Sequence, residues 1–523
     1  MTLMLTLGTA AFGAQKTLPS GKDTGSINVT NLKPGDTVTA YQFVKADYNE
    51  YGFTGYSAIN NYVKDPVAPT AQEVIDMASN AATMTVAAEK KVATGDTEVT
   101  LNGLPVGYYL VMVTSGSETV YSPMIAGIYY SKSATDNTLT NGAISADSDF
   151  EIKAQKCWAK SSTPKLEKTI VTPSSKNSKG DDIAIGDKIT FNLSATVPSY
   201  SKEYKKVTYK IYDIMSEGLD YVDGSMKCFI EKYENNRENI KVTPKVNGGI
   251  IEITFDSKFI LEHPGQKIQV EYQAKLNEKA GINFDANINK AYLEYSNNPA
   301  SGSTAKTGED KVYVYTFGID SNLFGKSTEK WNGKTKELIK VEEGEYQWVE
   351  TEKESGIFTT TTALEGATFT LTNNKTKKSY TATSDKYGYL KFTGLDAGEY
   401  TLQETDAPDG FTLNDAKHTV VITAEYNQDG TLKSYTIKID DKATSTYTAT
   451  YDKGVIKTIT STKDSQGNIS ESAFEKLKNE LFTFNRWRWH NYFCNCRRCI
   501  CGSSVRSSYD FKRKKQAGTG QIV

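Results

Sequence analysis

The stretch YTLQETDAPDGF, Tyr400–Phe411, places one carboxylate, Glu404, within an apolar-alternating strand. Side chains two apart share a face of a strand, so Tyr400 and Leu402 lie on the same face as Glu404. A carboxyl aimed into a sandwich core is costly unless it has a partner or stays protonated. Two readings follow. Glu404 is a core carboxylate hydrogen-bonded to a turn, or it is an acid held protonated by burial, able to polarise a carbonyl and pass on a proton.

Such a group needs strands to hold it, and the chain is built to supply them. Its 523 residues suggest roughly three domains. Residues 15–160 carry strand-like runs such as SINVTNL and GYYLVMVTS, with a helical insertion over 71–92 where Val74, Ile75, Met77 and Ala78 are spaced for one face. Residues 161–312 alternate in IGDKITFNLSATVPSY, VTYKIYDIM and KIQVEYQAKLN. Residues 313–480 do so in ATFTLTN, YLKFTGL, EYTLQET and TVVITAEY. Thr, Tyr, Ser, Asn and Gly abound, and Gly, Asn and Asp turns punctuate the strands. The expected fold is all-β: three tandem immunoglobulin-like sandwich domains with a small helical insertion in the first. A faint repeat aligns NGLPVGYYLVMVT (Asn102–Thr114) with TGLDAGEYTLQET (Thr393–Thr405) and sets Val113 at the position of Glu404. The first domain thus has the hairpin without the carboxylate, and no glutamate-driven cross-link is expected there.

Composition excludes several classes. A net charge of −2 argues against a nucleic-acid binder, which needs a basic surface. Three His leave little for metal or acid–base chemistry at neutral pH, and no cofactor is expected. No His-based triad or glycosidase-like carboxylate pair stands out, so turnover catalysis is not expected. Of six Cys, only Cys157 and Cys228 precede residue 490, so the domains lack a disulfide framework. Met1–Ala14, MTLMLTLGTAAFGA, reads as a short signal peptide, cut short by the recorded start since no basic residue precedes Lys16.

Tyr400–Phe411 also meets every fixed position of the E-box, YxLxETxAPxG(Y/F), and so resembles the Cna-B-like domains of sortase-assembled pilins of Gram-positive bacteria. The resemblance implies that Glu404 drives an intramolecular Lys–Asn isopeptide bond. That chemistry needs a neutral lysine, an asparagine supplying the carboxamide carbon and a protonated acid, all in an apolar core, and it releases ammonia. In such domains the bond usually ties the first strand to the last. ELIKVEE (Glu337–Glu343) resembles the opening strand and gives Lys340 as nucleophile, chosen over Lys326; FEKLKNELF gives Asn479. In the second domain, PKLEKTIV (Pro164–Val171), KIYDIMSEGLDY (Lys210–Tyr221) and NINKAYLEYSNNP (Asn287–Pro299) resemble the fimbrial isopeptide-forming D2 domain. They imply Lys168 as nucleophile, Asp213 as acid and Asn289 as the amide.

QKCWAKSSTPK (Gln155–Lys165) resembles the pilin motif, typically VYPK, whose lysine joins one subunit to the next. Cys157, Trp158, Ala159 and Lys160 fill its positions, with Cys for Val and Ala for Pro, and Lys160 is the implied acceptor. After Glu480 the composition breaks: LFTFNRWRWHNYFCNCRRCICGSSV packs Trp, Arg and Cys together. One reading is a metal site using CNCRRCIC and His490. The other is a shifted reading frame. Codons compatible with Leu481–Cys501, less one T after the first codon, read LLPSTGGGGITTFVIAAAVFV: an LPSTG sorting signal and an apolar membrane run. Lys512–Lys515 then form the basic stop-transfer end. Leu18-Pro19-Ser20-Gly21 lacks the Thr of such a signal and lies at the wrong end.

The resemblance therefore implies a secreted, wall-anchored shaft pilin. A class C sortase would join LPSTG to Lys160 of the next copy, accessory pilins would share the fibre, and a housekeeping sortase would attach it to peptidoglycan. The alternative is a peptidoglycan-anchored β-sandwich adhesin for a host or glycan ligand.

Overall fold

A computed structural model describes residues 18–469, apart from 117, 132–143, 145–149, 172–176, 234–235, 323, 332–333, 341–345, 353–355, 364, 409–412, 414–415, 441–442 and 464–466, and two short strands beyond. The regular structure of the described chain is almost entirely strand, in mostly antiparallel sheets of immunoglobulin-like character.

The first body pairs two sheets. In one, Thr24–Thr30 lies between Glu98–Pro105, antiparallel, and Cys157–Trp158, parallel. In the other, Thr37–Asn49 is flanked by Gly107–Thr114, Gly52–Ala58 and Val86–Lys91. Ile27, Val29, Val38, Tyr109 and Val111 meet between them. The expected helix over 71–92 is shorter: Ala71–Ser79 is helical, opened by a capping box between Thr70 and Glu73. It stops at Asn80, and Val86–Lys91 is instead a strand against Thr37–Tyr41. Pairing to a sheet edge overrides the local helical pattern there.

In the second body the alternation is regular. One sheet runs Leu166–Ile170, Lys188–Thr196, Lys267–Leu276, Lys227–Tyr233, Asn236–Ile240. The facing sheet includes Gly180–Asp182, Asp310–Tyr315, Asn287–Asn298, Tyr209–Met215 and Ile250–Thr254. Ile189, Phe191 and Leu193 point inward from the first, and Ile211, Leu293 and Val312 from the second. Strand parity fixes the rest: Lys168 follows Leu166, Asp213 follows Ile211, and Asn289 precedes Ala291, so three polar side chains face the apolar interior.

In the third body, a sheet of consecutive antiparallel strands from Thr368–Asn373 to Gly467–Ile469, with Ser379–Thr383 at its edge, packs on the pair Phe317–Asn322 and Tyr389–Leu395. The strand Asp310–Tyr315 runs across the expected boundary at residue 312. Its Val312 and Val314 belong to the second core, and Tyr313 and Tyr315 to the third.

The aligned repeat is a repeat of backbone as well as of sequence. Gly103 and Gly394 both take left-handed φ, +71° and +76°. Tyr109 and Tyr400 each donate a hydroxyl hydrogen bond to the carbonyl four residues back, Pro105 and Asp396.

The second and third bodies meet at a polar junction. Tyr426 donates its hydroxyl to Asp182 at 2.6 Å, and the Ala397 amide donates to the same carboxyl. Lys378 Nζ donates to the Ile185 carbonyl at 2.6 Å, and the Leu432 amide to the Tyr315 hydroxyl at 2.9 Å. Gly430, at φ +89°, lies so close to Lys179 that a Cβ would fall 2.3 Å from its carbonyl oxygen. Burial raises the Asp182 carboxyl to about 6, against the two hydrogen bonds that favour its charge. A raised folded pKa means that the native state holds the proton more tightly than the unfolded chain. This contribution to stability is full below pH 4 or so and is lost as pH rises through about 6. We expect the melting temperature of the wild type to rise on going from pH 7 to pH 5 relative to Asp182→Asn, by calorimetry across that range; parallel profiles would contradict this.

Candidate functional site

The core of the second body holds a polar cluster. Lys168, Asp213 and Asn289 are each fully buried. Lys168 comes from one sheet; Asp213 and Asn289 come from the other, on neighbouring strands where Met215 pairs with Asn289. Lys168 Nζ donates to Asp213 Oδ2 and, at 3.0 Å, to the Tyr272 hydroxyl. Asn289 Nδ2 donates to the same hydroxyl at 2.7 Å. Asp213 Oδ1 and Asn289 Oδ1 are buried without a hydrogen-bond partner. The rings of Phe191 and Tyr272 pack against the ammonium position, with centroids 5.0 and 5.2 Å from Nζ.

Burial pulls the Lys168 pKa down, and the nearby Asp213 charge opposes it. Burial pushes Asp213 up, against the pull of Lys168. Both directions favour moving one proton from amine to carboxylate, leaving a neutral pair in a dry pocket. A neutral lysine is a nucleophile, and a protonated carboxyl can polarise an amide. The arrangement can therefore condense an amine with a carboxamide. Nothing in it suits a metal: among the described residues no His, Cys, Asp and Glu group could hold one.

The Lys168 strand lies at a sheet edge, so main-chain groups at its open side need other partners. The Lys168 amide donates to Asp310 Oδ2 at 2.7 Å, and Lys179 Nζ donates to the Lys168 carbonyl at 2.6 Å. Lys179 and Asp310 are themselves paired at 2.6 Å. Asp310 opens the strand next to that of Asn289, so the clamp ties the nucleophile's backbone to the amide's sheet. Tyr272, Lys179 and Asp310 were not identified from the sequence. Tyr272 sits in KIQVEYQAKLN at inward parity with Val270 and Ala274, a signal that register alone converts into a contact. The expected first-to-last strand tie also differs here, because the strand of Asn289 is followed by Ser303–Lys306 and Asp310–Tyr315 in the same sheet.

In the third body, Tyr400, Leu402 and Glu404 share the buried face of Gly398–Asp406. The opening strand is Phe317–Asn322, with Phe317 and Ile319 in the core. The sequence reading places that strand at ELIKVEE instead. Lys334–Lys340 pairs with Tyr346–Glu352 in a two-stranded sheet apart from the one holding Glu404, and Phe324–Trp331, which contains Lys326, pairs with Gly356–Ala363. Asn479, the segment 1–14 and most of the tail after residue 480, His490's neighbouring cysteines included, lie outside the described residues.

Lys160 is exposed, between Cys157–Trp158 and Ser161–Ser162, and its carbonyl accepts from the Ser122 amide at 3.0 Å. Cys157 and Ala159 are buried while Trp158 is 71% exposed, so Trp158 and Lys160 share the outward face.

Residues 22–161 match the T6 antigen Ig-like domain, and residues 358–436 match a prealbumin-like fold domain of SpaA type. The trypsin-resistant surface T6 protein of Streptococcus pyogenes serotype M6 is 28% identical over 449 residues, covering 81% of this chain and 78% of its own. The T6 backbone pilin structure from the same serotype, a modular three-domain protein with variable loops and extensions, superposes with a TM-score of 0.57 at 22% identity, covering 78% of this chain and 83% of that one. Over most of its length the chain is thus similar to a surface protein and a backbone pilin of that organism.

In an Asn289→Ala background, where no amide carbon is available, Asp213→Ala leaves the Lys168 amine alone in the core. We expect that change to cost about 3–5 kcal/mol in urea unfolding. Lys168→Met with Asp213→Leu in the same background is expected to recover most of it. A double variant as unstable as the single one would argue against an uncompensated charge.

Proposed function

We propose that this protein is the repeating subunit of a covalent surface pilus, with its domains stapled by self-formed Lys–Asn bonds. The observation that carries the reading is the buried Lys168–Asp213–Asn289 cluster, an arrangement with a high cost of burial and little structural need. Lys168 Nζ attacks Asn289 Cγ; Asp213, protonated, polarises the amide oxygen; the C–Nδ2 bond breaks and ammonia leaves. One amine and one carboxamide give one secondary amide and one ammonia, so no cofactor enters. The product bonds one sheet of the second domain to the other, in a domain whose cysteine, Cys228, is free. It is made once per chain, which makes the protein its own substrate.

Glu404 is the acid of a second staple in the third domain, with Lys340 and Asn479 as the partners read from the sequence. Lys160 is the acceptor through which a class C sortase joins copies. Its exposure, beside the exposed Trp158 and at the end of the first body, suits attack on an enzyme-bound partner. An LPSTG signal restored in the tail, accessory pilins and attachment to peptidoglycan by a housekeeping sortase complete the proposal, with the fibre at the cell surface.

The test is intact mass followed by peptide mapping. We expect a mass short by one ammonia for each staple, linked peptides containing Lys168 with Asn289 and, for the third domain, Lys340 with Asn479. Asp213→Ala and Glu404→Ala are each expected to restore one ammonia. A full mass with no linked peptide would sink the stapling reading. Linkage of Glu404's domain through another lysine would replace Lys340 alone.

A further inference from the structure

Two nitrogens in the second-domain site must exchange a proton. The attacking Nζ of Lys168 gains positive charge as it bonds to carbon and must lose a proton. Nδ2 of Asn289 must gain one to depart as ammonia. One atom is hydrogen-bonded to both: the Tyr272 hydroxyl oxygen, 3.0 Å from Nζ and 2.7 Å from Nδ2. It lies on the strand Lys267–Leu276, in the sheet of the nucleophile, and reaches across to the amide's sheet. The ring is fully enclosed, stacked at a tilt on Phe191 with centroids 5.5 Å apart, so the hydroxyl has little freedom to leave.

We propose that Tyr272 is a catalytic proton relay of the cross-linking reaction, carrying a proton from the attacking lysine nitrogen to the departing amide nitrogen. This rests on the stapling reading above and adds to it a residue and a path. Before attack, Nδ2 is an amide nitrogen whose lone pair is delocalised, so it can only donate, as it does here. Attack at Cγ moves the carbonyl π pair onto Oδ1 and ends that delocalisation. Nδ2 then has a lone pair on the side facing the hydroxyl, and its hydrogen bond can reverse. Tyr272 Oη takes a proton from Nζ while its own O–H proton passes to Nδ2. One O–H bond forms and one breaks, so the tyrosine ends unchanged. The C–Nδ2 bond then breaks, Oδ1 returns its pair to the carbonyl, and ammonia departs.

The hydroxyl acts by concerted transfer and not as a phenolate, since burial first and then the Asp213 charge hold its pKa well above the usual tyrosine value. Roles divide accordingly. Asp213 takes the first proton from Lys168 and polarises the amide oxygen. Tyr272 serves the two nitrogens. The hydroxyl is also coupled to Asp213 by hydrogen bonding, so the carboxyl stays within the same proton network.

The full chain made by cell-free synthesis, with intact mass and the Lys168–Asn289 peptide followed over time, tests the relay. Tyr272→Phe keeps the ring and removes only the hydroxyl. We expect it to fold, and to lose ammonia about 100-fold or more slowly than wild type, the scale of a lost acid–base group. Wild type is expected to react more slowly in D2O than in H2O, and Tyr272→Phe to lose that sensitivity, which a merely structural tyrosine would not change. Equal rates for Tyr272→Phe and wild type overturn the relay. So does a wild-type rate that is the same in D2O and H2O, a result that needs no variant to fold. A wild type that never forms the Lys168–Asn289 link overturns the stapling reading itself, and is told apart by that missing peptide.

Discussion

Everything in the second domain turns on the cost of enclosing the Lys168 amine. A lone ammonium in an apolar core is among the most destabilising groups a protein can hold, and pairing with one carboxylate offsets that only in part. The site meets the cost in two ways. Asp213 lies against Nζ, and burial drives the pair towards its neutral form. The neutral form is also the reactive one. The same desolvation that makes the unreacted core strained makes the amine nucleophilic and keeps the carboxyl protonated, and forming an amide would remove the strain for good.

Reactivity also depends on placement, and the surrounding structure supplies it with main-chain contacts. An edge strand is the least constrained place in a sandwich. The Lys179–Asp310 pair removes that freedom at the residue where it would matter, by holding both the amide and the carbonyl of Lys168. The aromatic walls of Phe191 and Tyr272 exclude water and fix the side chain's path. Farther along, Asp182, Tyr426 and Lys378 lock the second body to the third through polar contacts.

The two tyrosine hairpins show how one local design can bury a carboxyl in one domain and an apolar side chain in another. Tyr109 and Tyr400 close their loops alike, and Gly103 and Gly394 turn alike. Four residues on, the first hairpin buries Val113 and the second Glu404. The apolar residue needs only packing. The acid needs a purpose, or a partner, for its place in the core.

Much of this was legible in the residues themselves. Strand parity is a local property, so alternation alone places Glu404 on an inward face, a resemblance to the D2 domain picks out Lys168, Asp213 and Asn289, and turn residues mark the strand ends. The all-β class follows from the same patterns. What the sequence could not determine depends on which strands become neighbours. The stretch Val86–Lys91 has a helical look until a sheet edge is offered to it. Phe317 and Ile319, not singled out from the sequence, enter the third core because Phe317–Asn322 pairs with Tyr389–Leu395. Tyr272 is an ordinary inward tyrosine in its own strand. It stands between Lys168 and Asn289 only because two sheets, distant along the chain, close face to face, and contacts of that range are set by tertiary structure.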